Sequence, residues 1–285
     1  MNRKTIFTTA LLLVTLSVPL SLFGQDFEMD GTVLVKYRGN AANVAIPAGV
    51  TAIGDEAFSG RCGTITLTPK GSTPGEYAFL FNGSLISVSI PSSVTAIGKY
   101  AFGWCSSLVS ITVDARNNAY SSIEGVLFNK NRTILVQYPE GKRETNYFIP
   151  PGVISIGNGA FLNCDSLASI SASASVTAIG DWAFAFCRNL TNVTIAEGVT
   201  AIGNWAFVEC IRLTGIAIPS SVTSIGNAAF YWCESLTSIT IPSSVTAIGD
   251  EAFLGCRSLR TVTLSRRTEI GEDAFPATAQ ITYSD

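Results

Sequence analysis

The stretch "SVTAIGDEAFLGC", residues 244–256, recurs along the chain with few changes. Aligned on the phenylalanine of its Ile-Gly-x-x-Ala-Phe phrase, nine copies are separated by 21, 23, 59, 23, 23, 23, 23 and 22 residues. The long separation equals one period of 23 plus an insertion of 36 residues. A unit this short cannot form a core alone, so the period predicts stacked coils that bury one another's apolar faces. The aligned phenylalanines are Phe58, Phe79, Phe102, Phe161, Phe184, Phe207, Phe230, Phe253 and Phe275.

The repeat at residues 235–256, "SLTSITIPSSVTAIGDEAFLGC", predicts the path of one coil. Period-2 alternation places Ile239 and Ile241 inward from a strand, and Pro242 ends that strand because it cannot donate to a ladder. Two serines then suit a turn, "VTAI" a second short strand, and "DEAFLGC" one helical or 3₁₀ turn. The sequence therefore predicts a leucine-rich-repeat solenoid of the α/β class, mostly β, with about nine repeats of about 23 residues and a hairpin-like insertion.

The two ends of the chain depart from this repeat. Arg3 and Lys4, an apolar run and then small residues predict a signal peptide at 1–24. Residues 25–50 are expected to form an N-terminal cap in which Val33, Val35 and Tyr37 alternate before a turn at "RGN". The repeats then fall at 51–113 and 151–275, with the insertion at 114–150 and a C-terminal cap at 276–285, where a strand near 281–283 closes the stack.

The seven cysteines mark a column of the repeat. Six follow the aligned phenylalanine by three residues and one follows by four. A thiol in a buried column acts as a small hydrophobe with a weak S–H donor, which predicts inert thiols. Bridges between neighbouring coils, or a labile thiol at the irregularly spaced Cys62, are the alternatives for an exported chain. The column consists of Cys62, Cys105, Cys164, Cys187, Cys210, Cys233 and Cys256.

Composition argues against several classes of function. The net charge is −3 without a basic stripe, which disfavours nucleic acid as a partner, and no segment beyond the signal peptide is apolar enough to span a membrane. The chain has no histidine, no phosphate-binding loop and no metal-ligand or catalytic cluster, so no enzyme activity, metal or cofactor is expected. Asp181, Asp250 and Glu251 occupy a variable turn position for which no fixed partner is expected.

Two faces of the predicted coil are candidates for binding a partner. The outward strand positions, such as Ser238 and Thr240, are small and uncharged and lack the Trp, Tyr and Arg typical of binding hot spots. The aromatic residues lie instead beside the Ala-Phe phrase and before the cysteine, and Trp182 and Trp205 should stack because they share a column one coil apart. They serve either a binding surface or packing between coils. The candidates are Trp182, Trp205, Tyr100, Trp104, Trp232 and Phe186.

The insertion concentrates charge. Two strands are expected at 126–128 and 134–138, around a polar turn at 129–132. Nine of the 34 residues at 114–147 are charged, which fits either a protruding recognition hairpin or a solvated loop that completes the stack. The basic candidates for partner contact are Lys130, Arg132, Lys142 and Arg143.

The repeat "SLTSITIPSSVTAIGDEAFLGC" and the insertion "YSSIEGVLFNKNRTILVQYPEGK", residues 120–142, resemble the BspA-like, or Treponema pallidum type, leucine-rich repeat family. The resemblance covers about residues 30–275 and implies a bacterial surface or secreted protein, either an adhesin or a surface antigen. It implies a protein ligand from the extracellular matrix or another cell surface, with a glycan as a further possibility. We expect an exported binding module at the cell surface, secreted or in the periplasm; the alternative is a structural spacer without a specific ligand.

Overall fold

A computed structural model describes residues 26–39, 43–45, 50, 52–58, 64–66 and 73–284. The predicted signal peptide and Cys62 lie outside the described residues. Throughout the described ranges the regular elements are strands joined by turns, with no helix, so this part of the chain also has no helix that could cross a bilayer.

The described residues form 23 strands. The first eight precede the insertion: β1 Phe27–Asp30, β2 Val33–Tyr37, β3 Asn43–Ala45, β4 Ala52–Ile53, β5 Thr64–Thr66, β6 Thr73–Pro74, β7 Ser87–Ile90 and β8 Ser110–Val113. The insertion adds β9 Tyr120–Ile123, β10 Val126–Asn129, β11 Ile134–Gln137 and β12 Asn146–Phe148. The remaining strands are β13 Ser155–Ile156, β14 Ser169–Ser171, β15 Ala178–Ile179, β16 Asn192–Thr194, β17 Ala201–Ile202, β18 Ser224–Ile225, β19 Ser238–Thr240, β20 Ala247–Ile248, β21 Thr261–Ser265, β22 Glu269–Ile270 and β23 Gln280–Ser284.

Strands from successive coils stack in two columns. The short strands pair in the orders β1-β2-β4-β6 and β9-β10-β11-β13-β15-β17-β18-β20-β22, and the longer strands in the orders β3-β5-β7-β8, β12-β14-β16 and β19-β21-β23. Pairing between coils is parallel and places like on like, as where Ile156 faces Ile179. The structure thus confirms the mostly β leucine-rich-repeat solenoid, with a strand, a turn and a second short strand in each coil.

The segment around Ala-Phe differs from the predicted helical or 3₁₀ turn. Its amides alternate between two acceptors: Phe184 N–H donates to the Ala206 carbonyl of the next coil at 2.8 Å, and Ala185 N–H to the Trp182 carbonyl at 3.1 Å. A helix would direct every amide inside its own coil. The prediction was wrong here because neighbouring coils compete successfully for these backbone groups.

The aligned phenylalanines form a ladder of buried rings. Within one array the rings of successive coils lie 4.9–5.4 Å apart, as for Phe207 and Phe230 at 5.0 Å. Tyr37 and Tyr138 supply the first rung of the ladder before and after the insertion, at 5.5 Å from Phe58 and 5.4 Å from Phe161.

The cysteine column lies beside this ladder. All six of its cysteines in the described residues are buried thiols. Each Sγ–H donates to the carbonyl of the ladder residue one coil earlier, as from Cys210 to Phe184 at 3.2 Å and from Cys187 to Phe161 at 3.0 Å. Burial raises the pKa of four of these thiols above the usual value, which disfavours the reactive thiolate. These four are Cys164, Cys187, Cys210 and Cys233.

The insertion is part of the stack. The predicted hairpin is present as β10 and β11, but β9 pairs with β10 on its other edge and β11 pairs in parallel with β13 of the next coil. Val126, Phe128, Leu135 and Tyr138 are buried in the core that continues to the C-terminus. The hypothesis of a protruding hairpin was therefore wrong. The insertion completes the stack, which was the alternative interpretation.

The N-terminal hairpin has the same design as the insertion. β1 pairs antiparallel with β2, and β2 pairs in parallel with β4. The hairpin turn lies at Gly31 and Thr32, and β2 buries Leu34 and Tyr37 while Val35 is 41 % exposed, so the predicted alternation of Val33, Val35 and Tyr37 was wrong. The predicted turn at "RGN" includes Asn40, which lies outside the described residues. The chain thus contains two arrays, each opened by an antiparallel hairpin that contributes a tyrosine rung.

The C-terminal strand agrees with its prediction. β23 pairs in parallel with β21 over five residues, from Gln280 opposite Thr261 to Ser284 opposite Ser265. Its side chains, including Ile281 and Tyr283, are exposed. Residues 280–284 thus form the outer edge strand of the stack.

Candidate functional site

Seven aromatic side chains form a continuous row on one side of the solenoid. Neighbouring ring centroids lie 5.1–6.2 Å apart along the row, which runs in the order Phe81, Trp104, Phe186, Trp182, Trp205, Tyr231 and Trp232. Tyr77 and Tyr100 stack beside its start at 5.7 Å. We call these nine residues the aromatic surface. It contains all four tryptophans of the chain.

The predicted stack of Trp182 on Trp205 is present, with ring centroids 5.3 Å apart and an angle of 12° between the planes. These rings are half-buried and pack over Leu162, Ala185 and Val208. Other members of the surface are open to solvent, and Phe81 is 59 % exposed. Packing between coils therefore buries part of each ring, while the rest of its apolar surface remains exposed to solvent.

The backbone beneath these rings adopts a conformation that bulky residues disfavour. The residue two before each of the nine ladder phenylalanines has φ between 50° and 63°, as Tyr100 and Trp182 do. The position two after the phenylalanine repeats this, as at Trp104 with φ 52° and Phe186 with φ 60°. A non-glycine residue in this region costs of order 1–3 kcal/mol. The chain places aromatic rings where glycine would suit the backbone better.

Glycine does occupy these columns where a neighbouring ring needs the space. At Gly159, φ is +63° and a Cβ would lie 2.7 Å from Cδ1 of Tyr100. At Gly255, φ is +78° and a Cβ would overlap the ring of Trp232. Tyr100 thus leans across the insertion coil to Gly159, and Trp232 leans over the adjacent coil to Gly255, which extends the aromatic surface at both points.

Arginines and acidic residues border the aromatic surface. Two arginines each lie over a ring and also pair with a carboxylate: Arg188 with Phe186 (5.5 Å) and Glu209 (2.9 Å), and Arg257 with Trp232 (5.2 Å) and Glu234 (3.1 Å). The same surface therefore combines apolar, cationic and anionic groups within a few coils.

A buried carboxyl group lies beneath the middle of the row. The column two residues after the ladder reads Trp104, Glu140, Asn163 and Phe186, yet the rings of Trp104 and Phe186 lie only 5.7 Å apart. Three coil spacings would separate their backbones by about 14 Å. Both side chains must therefore lean across Glu140 and Asn163.

This cover explains the environment of Glu140, which is 7 % exposed. Asn163 Nδ2 donates to Oε1 of the carboxyl, while no donor among the described residues reaches Oε2. Burial raises the pKa of Glu140 to about 7; the hydrogen bond from Asn163 opposes the shift and the charge of Asp165 adds to it. Glu140 therefore changes its protonation state near neutral pH.

The four basic candidates of the insertion do not join the aromatic surface. Lys130 and Arg132 lie at the exposed β10–β11 turn, where Lys130 Nζ donates to the Asn117 and Ala115 carbonyls. Lys142 and Arg143 line a different, shallow cleft of about 400 Å³. The structure thus brings together the six aromatic candidates and leaves the basic ones apart from them.

A ladder of asparagine and aspartate side chains runs beside the aromatic surface. The backbone amide of Asn204 donates to Oδ1 of Asp181 at 2.8 Å, and that of Glu272 to Oδ1 of Asp250 at 2.8 Å. The side chains of Asn158, Asn204 and Asn227 accept the same bond from the coil that follows each of them. The expectation that Asp181 and Asp250 lack a fixed partner was therefore wrong, because each side chain caps the backbone of the following coil.

The small, uncharged outward strand positions are exposed. Ser238 and Thr240 are exposed, as are Asn192 and Thr194. The described residues also contain no group of three or more Cys, Asp or Glu side chains placed to hold a metal ion.

Three members of the aromatic surface were not among the sequence candidates. Phe81 was missed because Asn82 replaces the cysteine that identified its column, although counting two residues from Phe79 would have found it. Tyr77 shares the column of Tyr100. Tyr231 occupies a different position, next to the ladder, and only its contact with Trp205 at 5.9 Å places it in the row.

Comparisons with known proteins agree with this architecture. A family model described as "BspA type Leucine rich repeat region", with six copies, matches residues 35–146 and 154–282. The structure is similar to that of the pneumococcal vaccine antigen PcpA, with a TM-score of 0.76, 22 % identity, and coverage of 87 % of this chain and 67 % of that one. Comparison with curated protein sequences finds no match.

Two further solved structures are similar over most of the chain. One is a leucine-rich cell surface protein from Faecalibacterium prausnitzii, with a TM-score of 0.58, 25 % identity, and coverage of 84 % of this chain and 92 % of that one. The other is a leucine-rich repeat protein from Eubacterium ventriosum, with a TM-score of 0.65, 26 % identity, and coverage of 86 % and 78 %.

Proposed function

Because the chain belongs to the BspA-type leucine-rich repeat family, we propose that it is an exported, non-enzymatic binding module that acts at the cell surface as an adhesin or surface antigen. Its partner is a protein of the extracellular matrix or of another cell surface. The similar Faecalibacterium prausnitzii protein is described as a cell surface protein, which supports this location.

The observation that carries the proposal is the aromatic surface. Eight of its nine rings are held on backbone with a positive φ, and the row continues across the boundary between the two arrays. Tryptophan and tyrosine are enriched at binding hot spots because they offer large, rigid contact areas. A solenoid that needed only packing at these positions would be more stable with residues that tolerate a positive φ, such as glycine or asparagine.

The proposal is tested with the variant Trp182→Ser/Trp205→Ser. Purified protein is titrated against a panel of matrix proteins and glycans, with Phe148→Ser as a matched control, since Phe148 is 57 % exposed and lies on strand β12, outside the aromatic surface. We expect a protein ligand whose affinity falls by about thirtyfold in the double variant and is unchanged in the control.

Two outcomes would contradict this proposal. If no protein or glycan binds in a concentration-dependent manner, the chain is a structural spacer, and if only a glycan binds, the partner class is wrong. Location is tested separately by protease treatment of intact cells. If the chain lies at the cell surface, it is expected to be cleaved before the cells are lysed. Complete protection from cleavage until lysis would contradict this location.

A further inference from the structure

A cleft lies in the aromatic surface at the boundary between the two arrays, beside the continuous row. At the position two before the ladder, Val136 and Gly159 separate Tyr100 from Trp182, and the ring of Tyr100 leans towards Gly159, whose Cβ would lie 2.7 Å from its Cδ1. The space that remains, of about 260 Å³, is lined by Tyr77, Tyr100, Trp104, Leu162 and Trp182.

Acidic groups flank this cleft. Glu76 directly precedes Tyr77 and Asp181 directly precedes Trp182, two of the residues that line it. Burial, with smaller contributions from Asp181, Tyr77 and Glu76, raises the pKa of Tyr100 to about 12. The turns around the ladder are also mainly acidic, although Arg188 and Arg257 border the same surface. From three residues before to two residues after the nine ladder phenylalanines, the chain has nine acidic residues and one basic residue, Lys99.

The cleft has the same combination of aromatic ring and carboxylate that binds an arginine of this chain at two other places. At Phe186 and at Trp232, a ring and a nearby carboxylate hold Arg188 and Arg257. In the described residues, cations lie over the rings of Tyr138, Phe186, Trp232 and Tyr283, but over no ring of the cleft. The cleft thus has the rings and the carboxylates of a guanidinium site without the guanidinium.

We infer that this cleft binds an arginine or lysine side chain of the partner protein, between Tyr100 and Trp182 and beside Glu76 and Asp181. The inference rests on the proposed protein-binding function and names the chemistry of the partner. A cation over an aromatic face is attracted by the ring quadrupole, and a carboxylate at the rim adds a charge-assisted hydrogen bond. Binding therefore weakens as salt screens the carboxylates.

The probe is a blocked nonapeptide with arginine at every third position, compared with the same peptide carrying citrulline, which is isosteric but uncharged. Because the four tryptophans all lie on the aromatic surface, their fluorescence reports binding near them. We expect the arginine peptide to bind with a Kd of about 0.1–1 mM and the citrulline peptide at least tenfold more weakly.

The matched variants use the asparagine and aspartate ladder. Asp181→Asn keeps the acceptor for the Asn204 amide, because asparagine already occupies this column at Asn158 and Asn204. Combined with Glu76→Gln, it is expected to weaken binding of the arginine peptide at least tenfold. Asp250→Asn makes the same change in the same column, three coils from Asp181, and is expected to have no effect.

Three results would overturn the inference: no binding of the arginine peptide, equal binding of the citrulline peptide, or an effect of Asp250→Asn as large as that of the double variant. Unchanged thermal unfolding of each variant shows that the fold is intact. The proposed function is judged separately, since a protein ligand lost in Trp182→Ser/Trp205→Ser but retained in Asp181→Asn/Glu76→Gln would refute only the cationic partner.

Discussion

The buried carboxyl of Glu140 gives the sharpest prediction, because it makes folding depend on pH. A carboxyl whose pKa is about 7 in the folded chain and near 4.5 in the unfolded one binds its proton more tightly when folded. Protonation therefore favours the fold, and the free energy of unfolding falls as the pH rises from 4.5 through 7. The chain contains no histidine, so few other groups change protonation state between pH 5 and 7.5.

The size of the effect follows from the shift. One pKa unit corresponds to about 1.4 kcal/mol, so ionising this group in the fold costs about 3 kcal/mol in total. Of this, about 2 kcal/mol is lost between pH 5 and 7.5. The rest is lost at lower pH, where the unfolded carboxyl, with its pKa near 4.5, is itself releasing its proton. The charged and polar groups that face Glu140 are Asn163 and Asp165.

The experiment measures urea unfolding at several pH values from 5 to 7.5 for the wild type and for Glu140→Gln. We expect the wild type to lose about 2 kcal/mol across this window and the variant to lose almost none. The slope with pH is the decisive quantity, since the glutamine amide introduces a buried donor that shifts the stability equally at every pH. A wild type without a slope, or a variant that keeps it, would refute a carboxyl buried beneath Trp104 and Phe186.

Three further predictions concern the stack. Phe207→Ala removes a fully buried ring with two stacked neighbours and is expected to lower the free energy of unfolding in urea by about 3–5 kcal/mol. Phe275→Ala, at a partly buried terminal rung, should lower it by less than half as much. Equal losses would contradict the ladder. Gly159→Ala should lower Tm, because its Cβ would meet Tyr100, more than Gly152→Ala, whose φ is also positive but whose Cβ meets nothing within 4 Å; similar losses would show that φ alone matters. The six buried cysteines should resist a thiol reagent until the protein unfolds, and rapid reaction of several in native protein would refute their burial.

The sequence alone was sufficient for the repeating part of the fold. A residue and its equivalent 23 positions later occupy adjacent coils, so the period itself predicts which side chains touch. The Phe207–Phe230 contact, the Trp182–Trp205 stack and the buried cysteine column all follow from this rule. The helical turn was predicted wrongly because a local pattern does not reveal that carbonyl groups of the adjacent coil accept hydrogen bonds from alternate backbone amides.

Only the tertiary structure decided what happens where the period is broken. Trp104 meets Phe186, 82 residues away, because both rings lean across Glu140 and Asn163 of the two coils between them. The same geometry buries Glu140 and leaves the cleft between Tyr100 and Trp182. Spacing predicts contacts only between coils of equal length, so a contact across an insertion depends on how its strands and turns pack against both neighbours.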